Sequence, residues 1–333
     1  MTLVEGQAVQ PDINQQPTAV TPRTGPVAVT VGVGFVLLSA VAFASTPAFV
    51  RLAYTAQLNG LSLVAFRCLI AAIVLWLVSR LMREKKVAGS IAWRLILLGA
   101  LLFGPQMWAY FAALERLDTS ITVAIIYIYP ALVAILVALR VHRFPRVAEI
   151  LLLALGLSGV GIIVLSNSVG IGSSAGMMLA VVTAVGYAFY VFAAGATVGD
   201  TPPLTAASLV LLGAGVSSVI AALLTGQLEF PSSGLGMGYL ALHGVVIVPI
   251  GLAAYYAGLK RLGATYTSLV DTSQPALAAL IGVAALGERL LPVQTVGIVA
   301  IIAAVLGLPV MALIQSRKSR RRGAGTKNMA TKT

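Results

Sequence analysis

Apolar residues run through this chain in stretches of about 20 or more, the length that carries a helix across a hydrocarbon core about 30 Å thick. Ten such runs can be read, at 27–55, 60–82, 92–114, 119–139, 147–167, 174–198, 203–225, 234–259, 264–286 and 292–314. Gly, Pro, Ser or charged residues mark the joints between them, as loop ends require. The pattern predicts an all-α, polytopic membrane protein with ten transmembrane helices. Residues 1–26, rich in Gln, Pro and Thr and without an early apolar stretch, read as a disordered tail and not as a signal peptide. Residues 315–333 read as a basic tail.

Two of the runs share a sequence. Residues 114–134 (LERLDTSITVAIIYIYPALVA) and 259–279 (LKRLGATYTSLVDTSQPALAA) lie 145 positions apart and agree at eight of 21 positions, among them Arg116 and Arg261, Thr122 and Thr267, and the Pro-Ala-Leu beginning at Pro130 and Pro275. A repeat of this length in an apolar chain points to a fold built by duplication. It places one five-helix repeat at 27–170 and a second at 171–314. Five is odd, so the second copy enters the membrane from the opposite side. Two inverted halves provide two arrangements of similar energy, open to either face, which is the physical basis of alternating access.

Composition agrees, with 59% hydrophobic and only 10% charged residues against roughly 25% charged in soluble domains. The net charge of +12 sits in short loops and the last 20 residues, where the positive-inside rule explains it without a nucleic-acid partner. With the amino terminus inside, 18 of the 22 Lys and Arg fall on cytoplasmic segments. Both termini are therefore expected in the cytoplasm. The single Cys68 lies in an apolar run and reads as a small buried hydrophobe, with no disulfide framework and no metal cluster. No cofactor is expected. The stretch Gly170-Ile-Gly-Ser-Ser-Ala175 formally fits a dinucleotide fingerprint, but it joins two membrane helices and reads as a linker.

Candidate chemistry lies inside the spans. In the ninth run Thr267, Asp271, Gln274 and Ala278 recur at one-face helical spacing. A carboxylate at a bilayer centre costs about 2.5–3.5 kcal/mol on insertion scales, so Asp271 should face a wet cavity or a partner. Trp108, Tyr110, Tyr127, Tyr129, Tyr187, Tyr190, Tyr255 and Tyr256 offer aromatic faces with hydrogen-bonding tips; interfacial belt or plain packing is the competing reading. Tyr110 and Tyr255 are repeat partners. His243 can titrate or orient a solute, or serve as a packing histidine. Pro130 and Pro275 each remove a backbone donor mid-span, kinking the helix or freeing a carbonyl for a solute.

Several of these stretches resemble a known family. Arg67 in LVAFRCLIAAIVLWL, the ALER-x-x-TS stretch ending near Ser120, Pro130, and the segment AAYYAGLKRLGATYTSLVDTSQPALAALIGVAALGERL with Gln294 and Gly297 look like the drug/metabolite transporter superfamily in its ten-helix EamA type. The resemblance spans roughly residues 30–314. The first half departs from it, with Val141-His142-Arg143 in place of Gly-Glu, and the 203–225 run has no counterpart of Arg67. The resemblance implies a solute carrier of the bacterial inner membrane, usually an exporter, whose central cavity is lined by the first four helices of each half. Among the branches it is most similar to YddG-like exporters of aromatic and other hydrophobic amino acids. Its partners would be a small solute and the lipid bilayer. Arg67 would attract a carboxylate or, as the family pattern also allows, hold helices together.

The residues expected to touch solute are then Arg67, Trp108, Tyr110, Tyr129, Tyr187, His243, Tyr255, Thr267, Asp271 and Gln274. The alternatives are carriage of a sugar, nucleotide or drug-like cation, a lipid flippase or channel, and an intramembrane hydrolase. The last finds neither HExxH nor GxSxG in the chain.

Overall fold

The computed structural model describes residues 25–46, 49, 59–142, 144–166, 173–286 and 291–330. The expectations for residues 1–24, for Gly287-Glu288 and for residues 170–172 of the linker lie outside the described residues. Within them, all regular structure is helical. In chain order the helices are α1 (Pro26–Ala44), α2 (Gly60–Leu81), α3 (Gly89–Leu114), α4a (Thr119–Ile126), α4b (Tyr129–Val141), α5 (Val147–Leu165) and α6 (Ser174–Thr197). They continue with α7 (Pro203–Leu224), α8 (Gly234–Leu262), α9a (Ala264–Asp271), α9b (Gln274–Leu286) and α10 (Pro292–Ala330). Among the described residues nine stretches are long and apolar enough to cross a bilayer, and α9 adds a tenth span in two halves. The basic segment read as a tail is helical as far as Ala330, in continuation of α10. Gln, Arg and Lys are good helix formers, and no proline interrupts 315–330.

Each helix packs on a partner that the duplication dictates. The main pairs are α1 on α8, α3 on α6, α2 on α7, and α5 on α10. Exchanging the two repeats turns the first pair into the second and maps each of the others onto itself. Loop contacts then sort the helix ends. At one end Glu84, between α2 and α3, accepts from the N–H (2.9 Å) and hydroxyl (2.7 Å) of Thr205 at the start of α7. There too Lys260 donates to the Asp200 carbonyl at 2.9 Å, and Tyr266 of α9a to Glu149 of α5 at 2.7 Å. At the other end Asn59 and Ser62 donate to the Gln227 carbonyl (2.7 and 3.0 Å), and Gly176 packs beside Leu117. The repeat-related loops 115–118 and 260–263 thus lie at opposite ends, and the repeats are inverted. Arg83, Lys85, Lys86, Arg146, Lys260 and Arg261 share one end, called here the basic end. α5 and α10 are the least buried spans, at the periphery.

Close crossings depend on glycine. A Cβ on Gly99 of α3 would run into the Val210 carbonyl of α7, and one on Gly213 of α7 into the Ile96 carbonyl of α3. The two backbones touch reciprocally, the small-residue packing expected where lipid supplies no hydrophobic drive between helices.

Both Pro-Ala-Leu copies break their helix. Proline offers no N–H to the carbonyl four residues back, and its ring crowds that carbonyl; here those are the carbonyls of Ile126 and Asp271. Helix stops at these two residues and restarts at Tyr129 and Gln274, at the same register in both repeats. The continuous face assumed for Thr267, Asp271, Gln274 and Ala278 is therefore interrupted at Thr272 and Ser273. α3 and α8 carry a second shared irregularity, π turns at Gly99–Phe103 and His243–Ile247, each followed two residues later by Pro105 or Pro249. Isolated π turns inside helices frequently accompany functional sites.

Packing does not obey the repeat everywhere. At the basic end α9a packs on α4b, α6 and α5. The counterpart half-helix α4a shows no comparable packing on α9b, α1 or α10 among the described residues. All eight residues of α9a are buried, whereas Thr122 and Ile126 are the buried residues recorded for α4a. Among the described residues, α9a is thus packed on the facing repeat at the basic end, and α4a is not packed in the matching way at the opposite end.

Candidate functional site

The two helix breaks meet at Asp271. Asp271 is the last residue of α9a and only 1% exposed. Its Oδ2 accepts from the Tyr129 hydroxyl at 2.5 Å, where α4b begins, and its Oδ1 from the Gln274 amide at 2.5 Å, where α9b begins. A longer contact, 3.5 Å, comes from the Tyr187 hydroxyl of α6. A hydrogen bond to a charged group contributes about 1.5–3 kcal/mol, so the two short bonds suffice to hold a carboxylate that costs about 2.5–3.5 kcal/mol in the bilayer.

Rings enclose this carboxylate. Tyr129 and Tyr187 have centroids 4.5 Å apart, Tyr127 and Tyr129 6.0 Å, and Tyr187 and Tyr190 stack at 5.8 Å. The Tyr190 hydroxyl donates to that of Tyr256 at 3.0 Å. Tyr255 is buried beside Tyr187, and its hydroxyl makes no hydrogen bond of ordinary geometry. The Thr267 hydroxyl, one turn before Asp271, is buried and also unpartnered. Tyr187 and Gln274 remain half-buried, so the group keeps an open edge. A buried carboxylate with neutral donors around it and apolar ring surface nearby is suited to a protonated amine.

Arg67 and His243 form a second group. The Arg67 guanidinium lies 3.5 Å from His243 Nδ1, donates to the Met107 sulfur at 3.1 Å, and covers the Phe111 ring at 4.6 Å. Both residues are buried, and His243 opens the α8 π turn with its Nε2 unpartnered. Tyr110 lies within electrostatic reach of both Arg67 and Tyr127, and so stands between the two groups. Trp108 belongs to neither: its indole N–H donates to Ser218 of α7 at 2.9 Å, tying α3 to α7. No cluster of metal-binding side chains exists among the described residues.

A family model described as the EamA-like transporter family matches residues 30–165 and again 174–309, most of both repeats. The chain belongs to the EamA-like transporter family. A solved crystal structure of a protein 18% identical covers 88% of this chain and 99% of its own, with a TM-score of 0.70, a likeness of fold. A search of curated proteins finds no match. As an EamA-like protein the chain is a multi-pass membrane transporter of small solutes and not an enzyme.

Of the ten residues expected to touch solute, the EamA-like fold brings Tyr129, Tyr187, Tyr255, Asp271 and Gln274 together, with Thr267 one turn away. It places Arg67 and His243 in the second group, Tyr110 between, and Trp108 in a helix contact. Two features were not anticipated from sequence, the paired π turns and the Tyr266–Glu149 bond. The first left no sequence signal, because the prolines that follow the turns, Pro105 and Pro249, mark a position in each helix without specifying a π turn. The second had none, because a helix-end acid and a tyrosine 117 positions away share no pattern.

Proposed function

We propose that this EamA-like transporter exports amino acids, with aromatic and other hydrophobic side chains preferred, across a bacterial inner membrane by alternating access. The observation that carries this reading is Asp271, a buried carboxylate held between both helix breaks and rimmed by tyrosines. The carboxylate answers a solute's ammonium group, and the rings answer its apolar side chain. The breaks supply the motion, since half-helices joined by an unpaired turn tilt separately where one rod cannot. The positive-inside rule puts the basic end in the cytoplasm, and the packing of α9a on α4b at that end supports reading the arrangement as outward-facing. Movement is driven by the solute's own gradient: Asp271 and Glu149 are the two acids within the described spans, and Glu149 is occupied capping α5 and binding Tyr266.

The test is a panel of labelled solutes in liposomes holding the purified full-length chain. Amino acids with aromatic or branched apolar side chains should exchange at least about tenfold faster than across protein-free liposomes. Movement of a sugar or nucleotide with no amino acid moving would overturn the reading.

A further inference from the structure

Asp271 carries a hydrogen-bond asymmetry that the repeat relation makes informative. The exchange of repeats maps Asp271 onto Ile126 and Tyr129 onto Gln274. α9a packs on α4b on the basic side of the breaks, and where the tail of α9a meets the head of α4b their contact includes the 2.5 Å bond from Tyr129 to Asp271. When the repeats trade roles, the tail of α4a meets the head of α9b, and the matching pair is Ile126 with Gln274. That pair holds no hydrogen bond of its own, because isoleucine has no polar side-chain atom. The bond is thus specific to one arrangement. Opening the basic end withdraws α9a from α4b and takes a phenolic donor from a buried carboxylate, which is unfavourable unless another donor replaces it.

We infer that the solute's protonated amine takes the place of the Tyr129 hydroxyl on Asp271, making Asp271 the ammonium subsite and Tyr129 the residue that occupies it while the basic end is shut. An ammonium has three donors and a compact charge; it satisfies Oδ2 and comes within reach of the Tyr187 hydroxyl, which already lies 3.5 Å from that oxygen. Solute then loads from the basic end, the one to which the carboxylate becomes accessible as the bond parts. A solute with no cationic amine lacks the group that compensates the lost bond. This deepens the amino-acid reading and rests on it only for the identity of the cargo.

The experiment uses the full chain in liposomes with a reporter cysteine at Ala134, a buried position of α4b on the basic side of the break, and Cys68 replaced by Ala. Labelling by a water-soluble maleimide reports opening of the α4b–α9a seam. Phenethylamine should raise the labelling rate about fivefold or more, and 3-phenylpropionate, which has the same ring without the amine, should not. Tyr129→Phe, which removes one oxygen and keeps the ring, should raise labelling to a similar level with no ligand. Asp271→Asn should abolish the response to phenethylamine. Equal responses to the amine and the acid, or Tyr129→Phe labelling as slowly as the parent, overturn the inference. Amino-acid exchange continuing in that case leaves the amino-acid reading standing. An amine response without amino-acid exchange supports the subsite and removes the amino acid as cargo.

Discussion

Gln274 supplies one of the two short hydrogen bonds to a carboxylate that is almost wholly buried. Gln274→Ala removes a bond worth about 1.5–3 kcal/mol, so the apparent affinity for an amino-acid solute should fall about ten- to a hundredfold in exchange assays, with insertion and expression kept. Unchanged affinity would take Gln274 out of the site. Trp108 behaves differently because its indole N–H bonds Ser218 between α3 and α7. Trp108→Phe should lower stability by about 1 kcal/mol, read as a lower unfolding midpoint in detergent, while solute affinity stays within about twofold. A large affinity loss at unchanged stability would put the indole on solute after all. The contrast shows what was legible at this scale. Asp271 stood out as an acid in an apolar run, and Gln274 and Thr267 followed from helical spacing on the same segment. Which rings meet them could not follow, because spacing along one helix says nothing of the azimuth of its neighbours. Tyr110 and Trp108 are two positions apart on α3 and serve different contacts.

The prolines at 130 and 275 act on whole elements. Each leaves the carbonyl four positions back without its usual donor, and proline inside a helix costs about 3 kcal/mol or more. Pro275→Ala restores an N–H aimed at the Asp271 carbonyl and favours one rod in place of α9a and α9b. The expected result is a higher unfolding midpoint with solute turnover lowered about tenfold or more. Equal turnover would show that the break is not a moving part. Gly99 and Gly213 limit a different element pair: Gly99→Ala pushes a methyl into the Val210 carbonyl and should destabilise by about 1–3 kcal/mol. Gly161→Ala is the control, since a Cβ there meets open space. Apolar runs and prolines announced the ten spans and the breaks, because both are local properties of the chain. The π turns were not announced, since their i+5 bonding leaves the apolar run intact and shifts only what faces where.

At the scale of the molecule, the 145-residue period and the odd number of helices per repeat made the inversion readable before any contact was known. The direction of opening was not, because it lies in the difference between α9a and α4a, two segments with the same repeat pattern and unequal burial. Membrane sidedness adds the remaining fact and can be tested directly. Asp118 is exposed in the loop before α4a, and Lys260 lies at the end of α8 beside Asp200. Cys68 is fully buried, so a cysteine introduced elsewhere dominates labelling by a membrane-impermeant maleimide. Asp118→Cys should label in intact cells. Lys260→Cys should label only after the membrane is opened, because the basic residues gathered at its end, among them Arg83, Lys85, Lys86, Arg146, Lys260 and Arg261, are held on the cytoplasmic side. The reverse pattern would keep the inverted repeat, turn the observed arrangement into the inward-facing one and reverse the direction in which Asp271 loads. Labelling of both positions from one side would contradict the sorting of loops by the Glu84–Thr205 and Asn59–Gln227 contacts, and with it the inversion on which exchange between the two arrangements depends.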